Sequence, residues 1–85
     1  MSMKAKRRWP AKLARPITLR DGTTLATLAD VRAFILNEPE HIQERNSWQR
    51  AAALLMEAAE NGGSIEAATA QLELALFLET RYMRR

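Results

Sequence analysis

The run Ile65–Tyr82, IEAATAQLELALFLETRY, restricts this chain more than any other stretch of it. Gly62 and Gly63 mark a loop before it, and Ser64 is a good N-cap, since its hydroxyl accepts from a first-turn amide. Glu66 suits the positive end of the helix dipole, and Arg81, Arg84 and Arg85 suit the negative end. With successive residues about 100° apart around the axis, Glu66, Thr69, Glu73 and Thr80 fall in one narrow polar stripe. Ile65, Ala68, Leu72, Ala75 and Leu76 form one apolar face, and Ala67, Ala70, Leu74, Phe77 and Leu78 form another. A helix that is apolar around most of its circumference must be wrapped by its own domain or partly buried against another chain. The expectation is that earlier elements cover one face and a second copy of the chain covers part of the other. The alternative is that the domain alone buries both.

Size supports the first option. Eighty-five residues make a single domain with a small core, for which self-association adds burial. There is no cysteine, so disulfides, thiolate chemistry and cysteine metal sites are excluded, in keeping with a reducing, cytoplasmic setting. No apolar run approaches a membrane span, and the basic N-terminal stretch has no apolar segment after it, as a secretory signal would. Charge is uneven. Residues 1–15 carry six basic side chains and no acid, whereas residues 16–85 carry seven arginines against ten acids, so the net +3 combines a +6 arm with a −3 body.

Residues 1–15, MSMKAKRRWPAKLAR, are too charged to form a core and read as a flexible arm. Trp9 is the exception, because its ring could dock on the domain. Lys4, Lys6, Arg7, Arg8, Lys12 and Arg15 with Trp9 also suit nucleic acid, the cations meeting phosphates and the indole stacking on a base. The plainer reading is a solvated basic end. The domain proper is then 16–85. Pro16 to Leu28 reads as a hairpin. A three-residue loop Arg20-Asp21-Gly22, with Gly22 left-handed, pairs Leu19 with Thr23 and Ile17 with Leu25, so that Ile17, Leu19 and Leu25 share a face. Two strands need a layer to lie on, and the ribbon's open edge is a second route to a dimer.

Thr27 and Asp30 resemble a capping box for a first helix with Leu28, Val31, Phe34 and Ile35 inward, ended ahead of Pro39. Residues 39–46 are a short helix begun by Pro39 or an irregular connection. Ser47 or Asn46 caps the next helix, Trp48 to Glu60, whose broad face holds Trp48, Ala51, Ala52, Leu55, Ala58 and Ala59, and Asn61-Gly62-Gly63 reverses the chain. The predicted fold class is α+β: an N-terminal β-hairpin packed on three α-helices, the last two an antiparallel pair.

Chemistry-bearing groups are sparse. Glu38, His41 and Glu44 could face one side of a helix as metal ligands, but with no second His or Cys a solvated charged turn is the expectation. Glu66 and Glu73 flank Thr69, and on the only polar stripe of their helix they are expected to be solvated rather than catalytic. Gly62-Gly63 lacks the strand and lysine of a phosphate loop. No cofactor or metal is predicted, and the chain reads as non-enzymatic. Phe77 lies beside the polar stripe, where aromatics are enriched in partner contacts; the alternative is that the N-terminal arm covers it. Leu74, Phe77, Leu78 and Arg81 form the predicted partner interface.

The pieces PITLRDG, DVRAFILNEP, and WQRAA followed by IEAATAQLELAL resemble, in order and spacing, a family of small alphaproteobacterial proteins of unknown function with a hairpin, a first helix, a proline-containing segment and two alanine-rich helices. The likeness spans about residues 9–79 and implies no activity and no functional residues. The function expected from the residues is an interaction or structural module, homodimeric or bound to another protein, away from membranes. The rival is a small nucleic-acid-binding protein using the N-terminal arm.

Overall fold

The computed structural model describes residues 8–79. Asp-Gly chemistry sets the hairpin. Strands β1 (Lys12–Thr18) and β2 (Thr24–Thr27) are antiparallel, with Ile17 opposite Leu25 and Thr18 opposite Thr24. The turn between them closes as the Gly22 amide donates to the Leu19 carbonyl at 3.0 Å and Leu19 donates to Thr23 at 2.8 Å. Gly22 has φ +93°, the left-handed conformation that L side chains resist. Ile17, Leu19 and Leu25 are therefore buried together, as period-2 alternation requires.

Strand β1 begins at Lys12, four residues before the boundary expected from composition. Its register with β2 shifts between Lys12 and Ile17. Pro16, which has no amide to donate, sits inside this irregular stretch, where the ladder does not need one. Leu13 is buried with the rest of the core. The upstream backbone is also tied to the body: the carbonyls of Ala11 and Trp9 accept from the amides of Leu28 and Ala29, both at 2.9 Å. Residues 8–15 therefore belong to the folded body, and only 1–7 of the expected arm lie outside the described residues.

Helix α1 (Leu28–Leu36) starts at the Thr27/Asp30 capping box, both halves of which are present. Its inward residues are Leu28, Val31 and Ile35, with Phe34 half-buried. Pro39 then caps a single turn, α2 (Glu40–Gln43), which lays Ile42 against the core. Helix α3 (Asn46–Glu60) opens from Arg45 without a side-chain cap, so Asn46 and Ser47 lie in its first turn rather than before it. Gly62, at φ +76°, turns the chain into α4 (Ile65–Leu78), which Ser64 caps through the Ala67 amide at 2.9 Å. α3 and α4 run antiparallel, and Arg45 at the start of one pairs with Glu79 at the end of the other.

The protein is thus α+β: a two-stranded ribbon on a helical layer, with the α3/α4 pair at its centre. Small residues allow that pair to approach closely, since Ala51, Ala58 and Ala59 of α3 and Ala68 and Ala75 of α4 are all buried. Trp48 fills the open end of this contact, its ring centroid 5.9 Å from that of Phe34. Its Nε1 is buried with no hydrogen-bond partner among the described residues, which costs about 1–3 kcal/mol. Burial of so large a ring offsets that cost.

Candidate interaction site

Helix α4 has two apolar faces with different surroundings. Ala68, Leu72, Ala75 and Leu76 are buried against α3 and the hairpin. On the far side Leu74, Phe77 and Leu78 are 47%, 52% and 60% exposed, and Ala70 between them is also exposed. This outer arc is the second apolar face read from the sequence. Residues 1–7, the part of the arm that the alternative reading would lay over Phe77, lie outside the described residues. Arg81, the fourth residue of the predicted interface, lies outside the described residues, as does Thr80 of the polar stripe.

The polar stripe has a different role from the solvated one expected. Thr69 is fully buried. Its hydroxyl donates to the Ile65 carbonyl at 2.8 Å and accepts from the Ala14 amide at 3.1 Å, so β1 is bonded directly to α4. One residue further along β1, the Arg15 guanidinium bridges two carboxylates. Nη2 and Nε bind Glu73 at 2.5 and 2.9 Å, and Nη1 binds Glu66 at 3.0 Å. Hydrogen bonds to Glu73 and then Glu66 raise the Arg15 pKa above the ordinary arginine value. Glu66 keeps the solvation expected of it, with 64% of its side chain exposed, whereas Glu73, 16% exposed, does not; the stripe is where the hairpin docks, and a strand cation meets its acids.

The N-terminal cations are divided in the same way. Arg8 donates from Nε and Nη2 to the Ala58 carbonyl at 3.0 and 2.7 Å, and from Nη2 to the Gly63 carbonyl at 2.9 Å. Its backbone amide donates to Ala59 at 2.7 Å. These carbonyls belong to the end of α3 and the turn after it, where intrahelical donors run out and a cation is favoured by the helix dipole. Trp9 donates from Nε1 to Glu60 at 3.1 Å and lies under the Arg32 guanidinium, 5.3 Å from its ring centroid. Of the residues assigned to nucleic acid, Arg8, Trp9 and Arg15 are thus committed to internal contacts. Lys12 is exposed, and Lys4, Lys6 and Arg7 lie outside the described residues.

His41 and Glu44 are exposed at the single turn of α2, and Glu38 precedes Pro39. Among the described residues no group of three or more His, Asp or Glu side chains is placed to hold a metal ion. An open groove of about 330 Å³ lies between the hairpin tip and α1, with Leu19, Leu25 and Phe34 as its apolar lining and Asp21, Asp30 and Asn37 among its polar one. Asp30 already accepts from the amides of Ala26 and Thr27 at 2.9 and 3.1 Å, which holds its carboxyl below the ordinary aspartate value. No described helix is long and apolar enough to cross a membrane.

No family model matches the chain, and neither does any curated protein or solved structure compared with it.

Proposed function

We propose that this protein is a non-enzymatic interaction module that self-associates through the outer face of α4. The observation that carries this reading is the exposure of Leu74, Phe77 and Leu78 together on one side of a helix whose other side is core. Scattered apolar residues are ordinary on any surface, but a contiguous stripe is a contact surface. Glu66, at the edge of the arc, is engaged by Arg15, so a partner meeting the arc faces no unneutralised acid at that end. The rival, nucleic-acid contact through the basic N-terminal segment, is weakened by the internal roles of Arg8, Trp9 and Arg15.

Light scattering across a concentration series tests the proposal. The wild type gains mass as concentration rises, and Phe77→Glu stays monomeric with unchanged helicity. A wild type that remains monomeric at millimolar concentration contradicts it. Salt-sensitive retention on DNA or RNA that is lost on deleting residues 1–7 would instead favour the rival.

A further inference from the structure

Succinimide chemistry distinguishes two turns of this fold. An asparagine side chain is open to attack by the backbone nitrogen of the next residue, and a glycine there brings no side chain to hinder the approach. The chain holds Asn37, Asn46 and Asn61, of which only Asn61 precedes a glycine, and Asp21-Gly22 is the matching aspartate pair. At the hairpin tip the Gly22 amide donates to the Leu19 carbonyl at 3.0 Å, and Asp21 Oδ1 accepts from the Thr23 amide at 2.9 Å. Nucleophile and electrophile are both held in place there.

In the turn between α3 and α4 neither is held. Asn61 and Gly62 are exposed, and among the described residues the peptide plane joining them neither donates nor accepts a hydrogen bond. A Cβ placed on Gly62 would meet nothing within 4 Å. The plane therefore has room to swing about the Asn61 Cα–C bond, which stands at ψ 12°. The anchors of the turn lie on either side of this plane: the amides of Asn61 and Gly63 both donate to the Glu57 carbonyl, at 3.0 and 2.8 Å.

We infer that Asn61 is a site of spontaneous modification that loosens the attachment of the N-terminal segment. The Gly62 nitrogen, its proton taken by hydroxide, attacks Asn61 Cγ. A C–N bond forms as the Cγ–Nδ2 bond breaks, and Nδ2 leaves as ammonia with a proton from water, which returns the hydroxide. Water then opens the ring. Cleavage of the new bond leaves aspartate, and cleavage of the original peptide bond leaves isoaspartate, with the chain running through Cγ. Either product adds a carboxylate at the negative end of the α3 dipole. Isoaspartate also inserts a methylene between the two amides that Glu57 holds, which displaces Gly63, whose carbonyl accepts from Arg8 Nη2 at 2.9 Å.

Incubation of the full chain at mildly alkaline pH, followed by peptide mass mapping, tests the site. Asp21→Asn, run alongside, places a second asparagine–glycine pair in the hairpin turn. In denaturant the two pairs should convert at equal rates. In the folded protein Asn61 should convert at least about fivefold faster than the introduced asparagine, the factor that one backbone hydrogen bond is worth. In the wild type it should convert ahead of Asn37 and Asn46. An Asn61 that stays intact, that converts no faster than the introduced asparagine, or that leads by the same factor in denaturant overturns the inference. In the isoaspartate fraction of the aged wild type, hydrogen exchange should speed up at Arg8 and Gly63, whose amides donate to Ala59 and Glu57. Unchanged exchange at both overturns the loosening.

Discussion

The two sides of α4 are similar in composition and opposite in surroundings. The inner side, with Ala68, Leu72, Ala75 and Leu76, is buried under α3 and the hairpin. The outer side, with Ala70, Leu74, Phe77 and Leu78, is exposed. What distinguishes them is the polar stripe. Thr69 and Glu73 give β1 a hydrogen bond and an ion pair at one edge of the inner side, and Gln71 reaches the Ser47 carbonyl at 3.3 Å toward the other. The chain's remaining elements are thereby gathered on one half of the helix. Apolar character says that a surface will be buried; the few polar contacts decide against what.

That contrast is most exposed to test by matched leucine truncations. Leu76→Ala should cost about 2–5 kcal/mol of unfolding free energy in denaturant titration, because it opens a cavity in the core. Leu78→Ala should change the stability of the monomer by no more than about 0.5 kcal/mol and should lower the mass seen at high concentration. Equal costs at the two positions would mean that the outer side is core after all.

The next effect concerns the edge between the two sides. Thr69→Val keeps the shape but removes both hydroxyl hydrogen bonds, leaving the Ala14 amide without its acceptor. About 1–2 kcal/mol of stability should be lost, and hydrogen exchange should speed up first at Ala14. If exchange there is unchanged, the hairpin is not held to α4 through this bond.

The smallest effect is a dependence on pH that belongs to the hairpin–α1 junction and leaves α4 untouched. Amides of Ala26 and Thr27 hold the Asp30 carboxyl below its ordinary value. A carboxylate depressed in the folded state stabilises it fully above the unfolded aspartate range, near pH 4. That contribution is lost as pH falls through the folded value. Asp30→Asn should therefore lower stability at neutral pH by up to about 1 kcal/mol and flatten the acid limb of the stability curve. An unchanged acid limb would remove Asp30 from the account.

The sequence made the local parts of this structure legible. Register followed from Asp21-Gly22 and the alternation of Ile17, Leu19 and Leu25; the start of α1 followed from Thr27 and Asp30; and the two apolar faces of α4 followed from helical spacing. These are short-range signals, each contained within about ten residues. The N-terminal segment was misread because its contacts are long-range and largely made by backbone atoms. Arg8 meets carbonyls 50 and 55 residues away, and Trp9 and Ala11 offer carbonyls to the start of α1. Composition marks such a stretch as charged and poor in apolar residues, but it does not reveal that two helix ends need the donors and acceptors the stretch supplies.

One clue to Arg15 was present. Glu66 and Glu73 stand two turns apart on a helix otherwise without charge, and acids on so apolar a helix invite a cation from elsewhere. The buried hydroxyl of Thr69 left no comparable trace, since threonine on a polar stripe is equally suited to solvent. The outer face of α4, by contrast, was legible from helical spacing as a second apolar face, and Leu74, Phe77 and Leu78 on it are exposed.

Methyl NMR on dilution addresses that face most directly, because inner and outer leucines of α4 are observed in one spectrum. As concentration falls from millimolar to micromolar, the methyl signals of Leu74 and Leu78 should shift together along a single binding curve, while those of Leu72 and Leu76 stay fixed. Outer-face signals that do not move across the series, or shifts spread evenly over both faces, would contradict the account.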